Sequence, residues 1–117
     1  MNVVRLSHKV DQGVRITSPE GDISNVIVRD IKLKTRNFVR KRETKRVVVL
    51  RQDVNLEVRA EDSNRRYSHL GESMEVNGVR IVVDDISRRD VEINYHLPPD
   101  YQITAGRYYG RGRFRPI

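Results

Sequence analysis

The chain has no cysteine. That excludes a disulfide framework and any thiolate metal site, and it fits a reducing compartment best. Nowhere is there an apolar run long enough to span a membrane, and the opening MNVVRLSHKVDQG lacks the apolar stretch of a signal peptide. The expectation is a cytoplasmic protein with no membrane partner. Helical signal is scarce as well. The best window, TRNFVRKRETKR, offers only Phe38 and Val39 as apolar anchors and reads as a loop or an extended hairpin tip. Catalytic patterns are missing: His8, His69 and His96 are scattered, none in a metal-ligand spacing, and neither GxSxG nor a P-loop occurs. Asp84-Asp85 and Glu61-Asp62 are adjacent carboxylates, but neighbours on a strand point to opposite faces, so they read as turn and rim charges. The chain therefore reads as a non-enzyme, with no catalytic residue, no cofactor and no metal.

What the chain does have is strand. It is 117 residues long, 37% hydrophobic and 33% charged. Two independent halves of that size would be marginal, so two halves, if present, would share one core. VVRLS, GVRIT, NVIVRDIKL, RVVVLRQ and NLEVRA are short runs rich in Val, Ile and Leu, bounded by turn-formers such as SPEGD. ESMEV follows, then the hairpin dipeptide Asn77-Gly78, VRIVVDDI, the turn SRRD, VEINYHL, a Pro98-Pro99 break and YQITA. The second set echoes the first. NVIVRDI (25–31) falls on RIVVDDI (80–86), KRVVVLRQ (45–52) on RDVEINYH (89–96), and VNLEVRA (54–60) on DYQITA (100–105). The chief mismatch is a basic loop at 32–46 set against 87–90, which suggests a tandem duplication with one loop grown outward.

Charge bears on partners. The formal net charge is +7, from 23 Lys and Arg against 16 Asp and Glu, with a pI near 10.1. The excess gathers in KLKTRNFVRKRETKR (32–46) and in the tail GRYYGRGRFRPI (106–117). Clustered cations favour a polyanion, because each phosphate contact releases condensed counterions. In the tail, Arg107, Arg111, Arg113 and Arg115 alternate with Tyr108, Tyr109 and Phe114. Arginines can contact phosphate there and aromatics can stack on bases. The competing reading is a solubilising end, or a strand that folds back through Tyr108 and Phe114. In the loop, Arg40, Lys41, Arg42, Lys45 and Arg46 would contact phosphates without reading sequence.

The second half resembles the carbon storage regulator (CsrA/RsmA) family of bacterial translational regulators. The stretch LGESMEVNGVRIVVDDISRRDVEINYHLPPDYQIT (70–104) follows that family's run of short strands with one deletion near the first turn. Gly71, Glu72 and Ser73 sit on its Gly-Glu-Ser/Thr element and Leu97-Pro98 on the Ala-Pro before its last strand. More faintly, LSHKVDQGVRI (6–16) falls on the family's opening and LEVRAED (56–62) on its close.

The resemblance implies an all-β, CsrA-like fold. Two five-stranded units, 1–62 and 63–106, would intertwine as a single-chain pseudo-dimer, monomeric or homodimeric, followed by a mobile tail at 107–117. First and last strands would be exchanged between units, and each first strand would form an RNA site with the other unit's last strand. One site would use Arg5, Leu6, His8 and Lys9 with the last strand of unit two. The family's His-Arg pair falls there on Thr104 and Ala105, with Arg107 two residues on. The other would use Arg65 and Arg66 with Arg59, and with three cations it is the stronger candidate. The function implied is repression of translation through GGA-containing single-stranded loops of mRNA leaders or small RNAs. A duplicated member would suit a phage or mobile element. The alternative is an interaction or assembly protein, binding host proteins or serving in a virion, that keeps the sheet without RNA readout.

Overall fold

The computed structural model describes residues 2–38, 46–59, 63–110 and 113–117, and the apolar runs read above coincide with its strands. In chain order these are β1 (Asn2–His8), β2 (Gln12–Thr17), β3 (Ile23–Phe38), β4 (Arg46–Arg59), β5 (Ser63–His69), β6 (Ser73–Val76), β7 (Val79–Ile86), β8 (Val91–Leu97), β9 (Gln102–Tyr109) and β10 (Arg113–Pro116). No helix occurs among the described residues, so none is long and apolar enough to cross a membrane. Every ladder is antiparallel. A four-stranded sheet has the order β1-β8-β7-β6 and a six-stranded sheet the order β10-β9-β2-β3-β4-β5.

Among the described residues the chain changes sheets three times: between β1 and β2, between β5 and β6, and between β8 and β9. Each crossing contains a residue in the left-handed region, Asp11 (φ 68°), Gly71 (φ 79°) and Asp100 (φ 66°). Such a residue reverses the backbone within one step, and Asp and Gly tolerate it best. As a result β1 lies in the sheet of β6–β8, while β5 and β9 lie in the sheet of β2–β4. Neither group of strands closes alone. One apolar cluster joins Val14, Ile16, Val26, Val28 and Leu56 of the six-stranded sheet to Ile81, Val83, Val91, Ile93 and Tyr95 of the four-stranded sheet. Alternation explains the burial: β8 buries every second residue from Val91 to Leu97.

The registers bring out a repeat. A bulge interrupts β3 between Val28 and Asp30, and another interrupts β7 between Val83 and Asp85. These are the positions that coincide when NVIVRDI is laid on RIVVDDI. The carbonyl before each bulge accepts a crossing residue's N–H: Asp11 to Val28 and Gly71 to Val83, both at 2.7 Å. An extra residue in the strand turns that carbonyl out of the ladder, where the crossing can use it. Asn77 and Gly78 both have positive φ, at 51° and 78°, as a two-residue hairpin turn requires.

Three expectations need correcting. RVVVLRQ and NLEVRA form one strand, β4. Val28 pairs with Leu56 and Ile31 with Val54, as Val83 pairs with Ile93 and Ile86 with Val91. Residues 54–59 therefore answer to 91–96, not to 100–105, and among the described residues β9 has no counterpart in the first half. In the basic segment after Ile31 the described residues are ladder, β3 and β4 staying paired out to Phe38 opposite Arg46, which fits the extended hairpin of the two readings above. The tail is also not a mobile end. Arg113 to Pro116 pair with Tyr109 to Gly106, so the chain folds back as β10. Gly106 makes this possible: a Cβ there would run into the Phe114 ring, which covers the bare backbone. Tyr108 packs on Phe114 with ring centroids 4.9 Å apart.

Candidate nucleic-acid interface

β2 begins only at Gln12, opposite Arg107, while β9 runs on to Tyr109. The protruding end of β9 meets the β1–β2 crossing, where the Tyr108 N–H donates to the Asp11 carbonyl at 2.8 Å. The β7–β8 turn arrives at the same place. Ser87 ties that turn, its Oγ accepting the N–H groups of Arg89 (3.4 Å) and Asp90 (3.1 Å), and leaves Arg88 and Arg89 exposed at the tip. Together they form an open cleft of about 350 Å³ lined by Lys9, Val10, Gln12, Arg88, Arg89 and Arg107. The Gln12 side chain is committed to the turn, accepting the Lys9 N–H at 2.9 Å. Among the described residues no carboxylate pairs with Lys9, Arg88, Arg89 or Arg107. Four cations with no carboxylate partner around one concavity suit an anion.

Beside the cleft, register places Arg113 opposite Tyr109 and Arg115 opposite Arg107, so all four share a face with Gln12. Tyr109 is 44% exposed, and the guanidinium carbons of Arg107 and Arg115 stand over its ring, 5.5 and 5.6 Å from the centroid. Tyr108 points the other way. It is buried, its hydroxyl donating to the Val14 carbonyl at 2.8 Å with Asn25 Oδ1 equally near. Burial pushes its phenol pKa up, against the pull of Arg15, Arg59 and Arg29.

The residues expected at the first site divide. Lys9 and Arg107 meet in the cleft. Leu6 packs against the core, and Arg5 lies along the four-stranded sheet, 3.3 Å from Glu92 and donating to Asn94 Oδ1 at 3.1 Å. His8 is buried at 2% exposure, its Nε2 sharing a 2.8 Å hydrogen bond with the Tyr95 hydroxyl. Burial lowers the imidazole pKa to about 4, so the ring is neutral at physiological pH and offers nothing to a phosphate.

The second expected site differs more. Arg59 stands in β4, and its Nε donates to Glu57 Oε1 at 3.1 Å. Glu57 also accepts from Arg29 Nε at 2.6 Å, and Arg29 Nη1 reaches Asp11 at 2.9 Å. Burial pushes the Glu57 carboxyl up, but hydrogen bonds from Arg29 and Arg59 outweigh it and hold its pKa below the usual value. In register, Arg65 lies opposite Glu57 and Arg66 opposite Leu56. These arginines belong to strands that pair directly, not to a first and an exchanged last strand. Arg40, Lys41, Arg42, Lys45 and Arg111 lie outside the described residues; Arg46 opens β4 and Arg113 is exposed in β10.

Sequence reasoning missed Arg88 and Arg89, which read only as turn residues, and did not separate Tyr108 from Tyr109. Strand parity in RYYGRGRFR offered a signal for the latter, since neighbouring tyrosines must face opposite ways. No family model matches the chain, and no curated protein or solved structure matches it either.

Proposed function

We propose that this protein binds RNA and represses translation by occupying GGA-containing single-stranded loops in mRNA leaders, where its bulk excludes the ribosome. The observation that carries the reading is the cleft in which Lys9, at the end of the first strand, meets Arg107 of the crossed-over β9. The resemblance to the carbon storage regulator family predicts a site at that junction, and the cations there lack carboxylate partners. The strand order adds support. β1 lies against β8 and β9 against β2, the exchange expected of a single-chain pseudo-dimer. The reading is of one RNA site, because β9 has no counterpart among the described residues of the first half. Arg88 and Arg89 replace, in charge, the arginine that the family places at Ala105.

The test compares a GGA-loop hairpin with a mutated-loop control at two salt concentrations. Loop-dependent binding that persists at the higher salt is expected, and equal binding to both hairpins that vanishes with salt overturns the reading. Solution mass checks the single-chain arrangement, for which a monomer of 13.7 kDa is expected.

A further inference from the structure

Tyr109 occupies a position that alternation dictates. With Tyr108 buried beneath the sheet, its neighbour must stand on the opposite face, and the fold-back of β10 holds it there. That hairpin is anchored by Phe114 over Gly106 and by the Arg15 guanidinium 4.6 Å from the Phe114 centroid. The half-exposed ring is therefore preorganised, with the guanidinium of Arg107 from β9 and that of Arg115 from β10 over it. Among the described residues Arg107, Arg113 and Arg115 have no carboxylate partner. A half-exposed aromatic ring with guanidiniums loosely over it, and no carboxylate to neutralise them, suits a ligand that is both planar and anionic, its base joining or displacing one guanidinium on the ring. Arg107 also lines the cleft, so the ring and the phosphate seat are one surface.

We propose that Tyr109 is a stacking platform for one unpaired RNA base, with the adjoining phosphate seated among Lys9, Arg88, Arg89 and Arg107. This rests on the RNA-binding reading above and adds to it a chemical position for a single nucleotide. The ligand is single-stranded, because a duplex keeps its base faces stacked inside. An acidic peptide would satisfy the arginines but bring no planar face to the tyrosine.

The test uses the full chain and a short single-stranded RNA carrying one GGA, with heparin as a polyanion that has no bases. Tyr109→Leu should weaken RNA binding roughly ten-fold, in the range of one base stack, while leaving the salt slope and heparin binding alone. Tyr109→Phe, which keeps the ring, should lose less. Scanning a single abasic residue along the RNA should find one position costing native protein about as much as Tyr109→Leu does, and costing that variant nothing further. Thermal melting checks that the variants fold. The inference is overturned if Tyr109→Leu binds RNA as native does, if it loses heparin equally, or if no abasic position couples to the ring. A native protein that ignores the loop sequence but shows the coupling would sink the regulator and leave the platform standing. A native protein that binds no RNA sinks both.

Discussion

The β1–β2 and β5–β6 crossings share one backbone plan and carry different chemistry. In each, a left-handed residue donates its N–H to the carbonyl before a bulge, from Asp11 to Val28 and from Gly71 to Val83. Around the first stand Lys9, Val10 and Gln12; at the matching positions of the second stand His69, Leu70 and Glu72. Val10 and Leu70 are similarly exposed, at 42% and 48%. The turn near the first crossing is short and brings up Arg88 and Arg89, whereas the matching connection in the first half is the long β3–β4 hairpin. β9 contributes Arg107 to the first crossing alone. The ladder is what folding requires of both halves, so it repeats. The exposed residues at the crossings are free to diverge, and cationic chemistry has gathered at one of them.

The largest difference to test is a buried one. His8 pairs with Val91 in register as Ser68 pairs with Val54, and both are buried, but only His8 titrates. Its pKa falls from 6.5 to about 4 on folding. Above pH 6.5 the ring is neutral in both states and contributes nothing. Between 6.5 and 4 the unfolded chain binds a proton that the folded chain refuses, so stability falls with pH. The loss should be about 2 kcal/mol by pH 5 and about 3 kcal/mol by pH 4. Urea unfolding between pH 7 and 5 reads it with little interference, since Glu57, held below the usual value, gives stability that is lost only at lower pH. His8→Ser, which makes the halves alike, should remove the slope; a slope that survives it would place the titration elsewhere.

Next are the bulges. Arg29 and Asp84 are the extra residues of β3 and β7. Arg29 reaches Glu57, whose side chain is 6% exposed, whereas Asp84 is exposed. Arg29→Ala should cost about 2 kcal/mol, less than a fully orphaned buried charge because Arg59 remains on Glu57. Asp84→Ala should stay within about 0.5 kcal/mol. Equal losses in denaturant unfolding would mean that the bulge itself, and not its ion pair, sets the stability.

Much of the frame was legible because strand alternation is local. The bulges went unread although they left a local signal: Val26, Val28 and Ile31, like Ile81, Val83 and Ile86, skip a beat where two polar residues intervene, at Arg29-Asp30 and Asp84-Asp85. That skip also corrects the reading of Asp84 and Asp85 as opposite-facing neighbours, for both are exposed. What could not be read depends on distant pairs. His8 looks like a site residue until Tyr95, far along the chain, supplies its buried partner. The fold-back of the tail, by contrast a local event, was one of the readings the sequence offered, through Tyr108 and Phe114. The cleft joins residues from three parts of the chain, so no window contains it.

The cleft offers a smaller effect. Arg88→Ala with Arg89→Ala should weaken RNA binding by roughly ten-fold and lower the salt slope by about 1.4, near 0.7 for each lost phosphate contact on a single strand. Leu70→Ala at the other crossing should change neither. Binding isotherms at several salt concentrations decide it. A slope unmoved by the double substitution would show that phosphate sits elsewhere.

The finest comparison exchanges the crossings themselves. Gly71 has open space where a Cβ would stand, and Asp11 already holds a similar φ, so Gly71→Asp should cost no more than about 1 kcal/mol. Asp11 has the Arg29 guanidinium 2.9 Å away, but the matching bulge residue in the second half is Asp84, a like charge. Gly71→Asp should therefore do worse alone than with Asp84→Arg, which rebuilds the first half's pair. In a double-mutant cycle the coupling should be about 0.5 kcal/mol in favour of the pair, modest because Asp11 is nearly half exposed. Zero coupling would mean that the two crossings share a backbone course but not a side-chain geometry, and the repeat would then end at the ladder.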